Sequence, residues 1–203
     1  MDALNIALVP YVLRWSHIIF GIMWLGHLYF FNLVNVPFQA GLDKDVKAKV
    51  NPALLLRAFY WFRWSAMYTL ILGLALFVWH YIIEGAMKSP DGRMTDRAMW
   101  IQFGMTLGII MWFNVWFVIW PRQKKILGGL VAGTPHPDAA KMAAVSGKAS
   151  RFNTYASGPM LFGMIGATHF GAMSAPVLLI VSVIGVGFWF GMIKRSFKVK
   201  TTV

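Results

Sequence analysis

Five runs of apolar residues, at about positions 8–34, 59–83, 98–120, 154–173 and 177–193, constrain this chain more than any other feature. Each run has about 17–27 residues, enough to cross a ~30 Å hydrocarbon core at ~1.5 Å rise per residue. A backbone with no water to bond to must satisfy itself internally, so such runs are read as helices. The expected fold is all-α: a polytopic membrane bundle of about five transmembrane helices forming a single domain over 1–203. Composition agrees. Hydrophobic residues make up 58% of the chain, charged residues 13%, and the mean hydropathy is +0.60. A soluble domain is nearer half apolar and a quarter charged.

The net charge of +12 does not point to nucleic acid, because the basic residues lie between the apolar runs rather than along one soluble face. They are topology signals. The N-terminal segment balances Asp2 against Arg14, and the second loop balances Lys88, Arg93 and Arg97 against Glu84, Asp91 and Asp96. The first loop carries Lys44, Lys47, Lys49 and Arg57 against Asp43 and Asp45. The third carries Arg122, Lys124, Lys125, Lys141, Lys148 and Arg151 against Asp138, and the tail adds Lys194, Arg195, Lys198 and Lys200. Basic segments alternate with neutral ones, which predicts an external N-terminus and a cytoplasmic C-terminus in a bacterial inner membrane. The first run has no basic start and no small-residue cleavage site, so it is expected to remain as a helix.

Pro37, Pro52, Pro90, Pro121 and Pro176 fall between the runs, where helix breakers belong, and Pro159 is expected to bend the fourth span. The third loop, 121–153, reads as partly helical, with Asp138 capping an alanine-rich start. Gly104-xxx-Gly108 and Gly187-xxx-Gly191 suit close helix approach, within the chain or between copies.

Cysteine is absent, so thiolate metal sites and a covalent CxxCH haem attachment are excluded. Histidine is the residue that carries chemistry here, since an ionisable side chain within a span is costly and is a functional hypothesis by default. His17 lies ~9 Å in from Tyr11, His80 ~6 Å from Glu84 and His169 ~6 Å from Met173, so the three are expected at one level near the outer face. His27 lies ~15 Å beyond His17 and is rotated by roughly 80° from it. Two imidazoles at one depth on facing helices suit bis-histidine ligation of haem b. His17, Gly21 and Trp24 share a helical face, with Gly21 leaving room one turn below the imidazole, and Gly166 lies beside His169. His17 and His169 are the candidate haem-iron ligands, with His80 or His27 as alternatives. The competing interpretation is that these histidines make hydrogen bonds between helices, and for His80, between Trp79 and Tyr81, it is favoured. Arg63 is expected to snorkel. Asn114 needs a partner inside the bundle, and Arg151 and Asn153 open the fourth span. No acidic residue lies within a span, which argues against a proton pump.

Several stretches resemble the urate oxidase N-terminal family, the membrane domain of bacterial membrane-bound urate hydroxylases. They are Trp15-Ser-His-Ile-Ile-Phe-Gly-Ile-Met-Trp-Leu-Gly26, Phe62-Arg-Trp-Ser-Ala66, Ile119-Trp-Pro-Arg-Gln-Lys-Lys-Ile-Leu-Gly128, Ala149-Ser-Arg-Phe-Asn-Thr154, Pro159-Met-Leu-Phe162 and Thr168-His-Phe170. The resemblance places His17 and His169 in the family's histidine-bearing motifs. Urate-oxidising members carry further spans and a C-terminal cytochrome c domain. For this sequence, which has no CxxCH, the resemblance implies an electron acceptor supplied by a separate cytochrome c, or a different task. Three roles follow: a haem b-binding electron-transfer subunit of a larger membrane complex, a urate hydroxylase-like oxidoreductase, or a haem-free accessory subunit. Each would contact the lipid bilayer and a membrane protein partner or a second copy of the chain.

Overall fold

The computed structural model describes residues 3–199, with side chains from Leu8 onward; Asp2 and Lys200, counted in the loop charges, lie outside them. Helices account for nearly all of it, and there is no strand among the described residues, only an isolated bridge between Lys88 and Met94. The elements are α1 (Ala3–Tyr29), α2 (Val36–Ala40), α3 (Lys44–Phe77), α4 (Asp96–Phe113), α5 (Trp120–Val131), α6 (Ala139–His169) and α7 (Ala175–Ser196). Wide π turns at Phe30–Asn35 and Asn114–Ile119 join α1 to α2 and α4 to α5, and a third, Val78–Ile83, closes α3. The result is five long rods.

Pro90 lies between rods and Pro176 opens α7, as expected, but Pro37, Pro52 and Pro121 do not end a helix. Pro37 and Pro121 each sit two residues after a π turn, and the chain runs helically through both. A proline lacks the N–H of the regular ladder, and its ring crowds the carbonyl four residues back. Just before each one, the backbone N–H of Val36 and of Trp120 bonds five residues back, to Phe31 and Val115. A turn widened in this way relieves the crowding, so the helix survives. Pro52 lies inside α3 and Pro159 inside α6. The third loop is accordingly almost all helix, with only 132–138 left between α5 and α6. Helical hydrogen bonding continues past the apolar runs, which is why the second rod, Lys44–Ile83, has 40 residues where the expected span had fewer.

Four rods, Leu8–Ala40, Lys44–Ile83, Asp96–Val131 and Ala175–Ser196, are long and apolar enough to cross a membrane. Helix α6 is not among them, although a span was expected at 154–173. Its position explains the difference. It packs on α4, α5 and α7 and reaches α1, so Asn153, Thr154, Ser157, Pro159, Gly163 and Gly166 are buried in protein instead of facing outward. A helix enclosed by others can be polar and small-sided where a lipid-facing one cannot. By contrast α7 buries only Val181 and Ile193 and exposes Leu179, Ile180, Val183, Ile184 and Phe188. Exposed apolar area on this scale suits lipid, not water. The chain is a membrane protein.

The strongest pairings are α1 with α3 and α4 with α6, and α7 lies on α6. Trp24, Leu28, Phe31, Phe59, Phe62, Met111, Val115 and Ile119 form the core where the first three rods meet. Glycines set the closest approaches. A Cβ on Gly163 would lie 2.8 Å from the Gly104 nitrogen, and one on Gly158 would lie 2.7 Å from the Gly185 carbonyl oxygen. Of the glycines singled out in the sequence, Gly104 is an internal contact, while Gly108, Gly187 and Gly191 face open space. The antiparallel course gathers the α2–α3 turn, α5, the start of α6 and Lys194–Arg195 at one end of the bundle, here termed the basic end.

Candidate functional site

His17 stands in the seam between α1 and α3. Its Nδ1 donates to the Thr69 carbonyl at 2.9 Å. The ring lies over Gly73, where a Cβ would come within 2.9 Å of its Cε1. The carbonyl fixes one tautomer and leaves Nε2 as the lone-pair nitrogen, with no hydrogen-bond partner among the described residues. Ligating histidines have this arrangement, because a hydrogen bond from the second ring nitrogen orients the first. Below the imidazole, a Cβ on Gly21 would meet the Thr69 methyl at an ordinary 3.9 Å. Trp24, on the same face, is buried, and its indole N–H has no partner among the described residues.

His80 has a different environment. Arg14 donates through Nη2 to its Nε2 at 2.9 Å, and its Nδ1 donates to Glu84 Oε2 at 2.7 Å. Both nitrogens are engaged, so no lone pair remains for a metal in this arrangement. The shared level expected for the histidines is also corrected. His17 stands against Gly73, and His80 is seven residues, or ~10 Å, further along α3. Arg14 reaches His80 from one turn above His17, so the two histidines occupy successive levels of one seam. Trp79 adds a bond from Nε1 to Glu84 Oε1 at 2.7 Å.

Glu84 lies just beyond the second rod, and the hydrogen bond from His80 holds its carboxyl below the usual range; partial desolvation opposes this and the Trp79 bond reinforces it. A depressed carboxyl binds fewer protons in the folded state, so its stabilisation is present above the ordinary value of ~4.3 and is lost as pH falls through the lower folded value. The thermal midpoint of the detergent-purified protein should therefore fall between about pH 5 and pH 3. In Glu84→Gln that part of the fall should be shallower. Superimposable profiles would remove Glu84 from the account.

His169 ends α6 and is exposed, with no hydrogen bond among the described residues. Gly166, one turn back, does not open a slot beside it; a Cβ there would meet Phe162 and Trp100 at 3.4 Å. His17 and His169 thus lie on different seams. His27 bonds through Nδ1 to the Met23 carbonyl in its own helix at 2.7 Å. Arg63, expected to snorkel, lays its guanidinium 3.9 Å from the centre of the Trp120 ring, beside Tyr60 and Trp116. Asn114 finds its partner. Its Nδ2 donates to Asn153 Oδ1 at 2.8 Å, and Asn153 Nδ2 donates to the Met111 carbonyl at 2.9 Å.

At the basic end the structure adds a feature that the sequence did not single out, a cleft of about 540 Å³ between α2, α3, α5 and α6. Asn32, Asn35 and Gln39 line one side, Asn51 and Gln123 two others, and Lys148 and Arg151 the rim. The signal was the spacing of Asn32, Asn35 and Gln39, three and four residues apart and so on one helical face. Neither this cleft nor the shallow groove at Pro52, Arg57 and Trp61 is lined by a histidine.

The model of the urate oxidase N-terminal family matches residues 89–202, more than half of the chain. The chain belongs to the urate oxidase N-terminal family. No curated protein and no solved structure matches it. The family match begins in the loop before α4 and runs through α7, so it includes Gly166, His169, Asn114, Arg151 and Asn153. His17, Gly21, Trp24 and His80 lie ahead of it, although the resemblance read from the sequence began at Trp15.

Proposed function

We propose that this member of the urate oxidase N-terminal family is a haem b-binding electron-transfer subunit of a membrane redox complex, with His17 as an axial ligand through Nε2. One observation carries the proposal: the Thr69 carbonyl holds Nδ1–H and leaves Nε2 as the lone pair, in a seam where Gly73 makes room for the ring. His17 would hold the group through Nε2. His169, inside the family match, has an uncommitted imidazole but stands on a different seam, and His80 is committed at both nitrogens. The orphaned Trp24 N–H on the His17 face is a donor awaiting a polar partner. A haem there would supply one-electron transfer. The chain's own part is to hold the imidazole in one tautomer. In this reading the basic end faces the cytoplasm of a bacterium, and a separate cytochrome c accepts the electrons.

The test is a reduced-minus-oxidised spectrum of the protein purified in mild detergent. A haem b difference band is expected in the wild type, lost in His17→Ala and weakened or shifted in His169→Ala. Absence of the band, or a band indifferent to His17→Ala, would sink the proposal and leave the haem-free accessory role. Reduction of the band on adding urate to membranes would extend the reading to a urate hydroxylase-like oxidoreductase.

A further inference from the structure

We propose that the cleft at the basic end binds the phosphate-bearing head of an anionic amphiphile, a membrane lipid head group. The argument starts from what the cleft offers. Gln39 Nε2 donates to Asn51 Oδ1 at 2.6 Å and, more weakly, to Asn35 Oδ1 at 3.4 Å. That spends an acceptor oxygen on each asparagine and leaves both NH₂ groups as donors, with no protein acceptor among the described residues. Gln123 also makes no side-chain bond among the described residues. Arg151 is half-buried, Lys148 is exposed, and neither has a carboxylate within bridging distance; the two ion pairs among the described residues involve Glu84 and Asp91 at the opposite end. No aspartate or glutamate lines the cleft. Uncommitted amide donors flanked by unneutralised cations are complementary to an anion, and a phosphate with several acceptor oxygens can use more than one of them.

The remainder of the lining is apolar and identifies the source of the phosphate. Phe31 and Phe59 stack at 4.6 Å between ring centres, and Leu55, Ile119 and Leu127 continue the wall toward the core. A free phosphate gains nothing from such a wall, whereas a lipid head carrying acyl chains does. The volume lies within the ~300–1,000 Å³ range of small-molecule sites. The cleft also stands at the end of the bundle where the basic loops gather, the level at which anionic head groups lie. This inference concerns residues remote from the histidines and stands whether or not a haem is bound.

The experiment uses the full chain in a non-ionic detergent, titrated with dihexanoyl-phosphatidylglycerol, with dihexanoyl-phosphatidylcholine and with inorganic phosphate, and followed by the thermal midpoint. Saturable stabilisation by the phosphatidylglycerol is expected, at least about tenfold tighter than by the phosphatidylcholine, and with no comparable effect of inorganic phosphate. Arg151→Gln and Asn35→Leu should each weaken it about tenfold or more. Lys125→Gln, a basic-end cation outside the cleft, should leave it unchanged. Equal binding of both lipids, inorganic phosphate binding as tightly as the lipid, or an equal loss in Lys125→Gln would overturn the proposal. So would wild-type binding by both cleft variants. Since Lys148 is exposed, Lys148→Gln serves as a third variant should Asn35→Leu fail to fold.

Discussion

Gly163→Leu should prevent α6 from seating on α4, and even Gly163→Ala should lower the thermal midpoint of the purified protein by several degrees. The reason is the kind of atom that a new Cβ would meet. At Gly163 it lies 2.8 Å from the nitrogen and 2.9 Å from the Cα of Gly104, and 3.0 Å from the Trp100 carbonyl oxygen. All three are backbone, so no flexible side chain can swing aside. The helices themselves must part, and forced overpacking costs about 1–3 kcal/mol or more. For a chain of this size each kcal/mol shifts the midpoint by roughly 2–4 °C. The contact is reciprocal, since a Cβ on Gly104 would lie 3.0 Å from the Met164 nitrogen. Gly108→Leu is the contrast. It lies one turn along α4 from Gly104, a Cβ there meets nothing within 4 Å, and its midpoint should stay near wild type. If Gly163→Ala and Gly108→Leu melt alike, the close seam between α4 and α6 is wrong.

Asn153→Asp should be the more severe polar change, although it replaces one oxygen-bearing side chain with another of equal size. Asn153 is fully buried and uses both ends of its amide: Oδ1 accepts from Asn114 Nδ2, and Nδ2 donates to the Met111 carbonyl. A carboxylate keeps the first bond and sets an anionic oxygen against the carbonyl in place of the second. No cation is paired with it there, and burying an unpaired charge costs several kcal/mol even after relaxation. The expected result is loss of monodisperse, folded protein at neutral pH. Asn153→Ala should be milder, because it leaves Asn114 and a carbonyl unsatisfied without adding charge, and interhelical hydrogen bonds within membranes average only ~0.6 kcal/mol. A wild-type midpoint for Asn153→Asp would show that the amide is not enclosed as described.

What could be read from the sequence, and what could not, divides along physical lines. The apolar runs fixed the all-α bundle, and Asn114 was expected to find an internal partner. Both expectations depend on local composition, which a helix expresses directly. Helix ends were misread because proline is normally a breaker, and only the π turns before Pro37 and Pro121 show how the chain passes through them. Gly104 was singled out by its spacing to Gly108, but its true partner, Gly163, is 59 residues away. Distances of this kind have no signature in a single sequence. The same holds for His80. Its local neighbours suggested an interfacial aromatic cluster, but the bond that engages its second nitrogen comes from Arg14, on another rod. His17 was legible as a candidate. The Thr69 carbonyl that sets its tautomer was not, because a backbone acceptor leaves no residue type to read.

The π turns also have a geometric consequence. Each accommodates about one residue beyond the α repeat, and one residue corresponds to a rotation of roughly 100° about the axis. The two halves of the rod Asp96–Val131 are therefore aimed separately. Before the wide turn, the azimuth is set so that Gly104 meets α6. After it, the helix is re-phased, so that Leu127 points into the bundle while Lys124 and Lys125 face out and Gln123 borders the cleft. The rod Leu8–Ala40 is divided in the same way, with His17 in the α3 seam on one side of the turn and Gln39 in the cleft on the other. A straight α-helix would tie these two orientations together. The wide turn sets a fixed offset between them, so that one end of the rod can face its seam while the other faces the cleft.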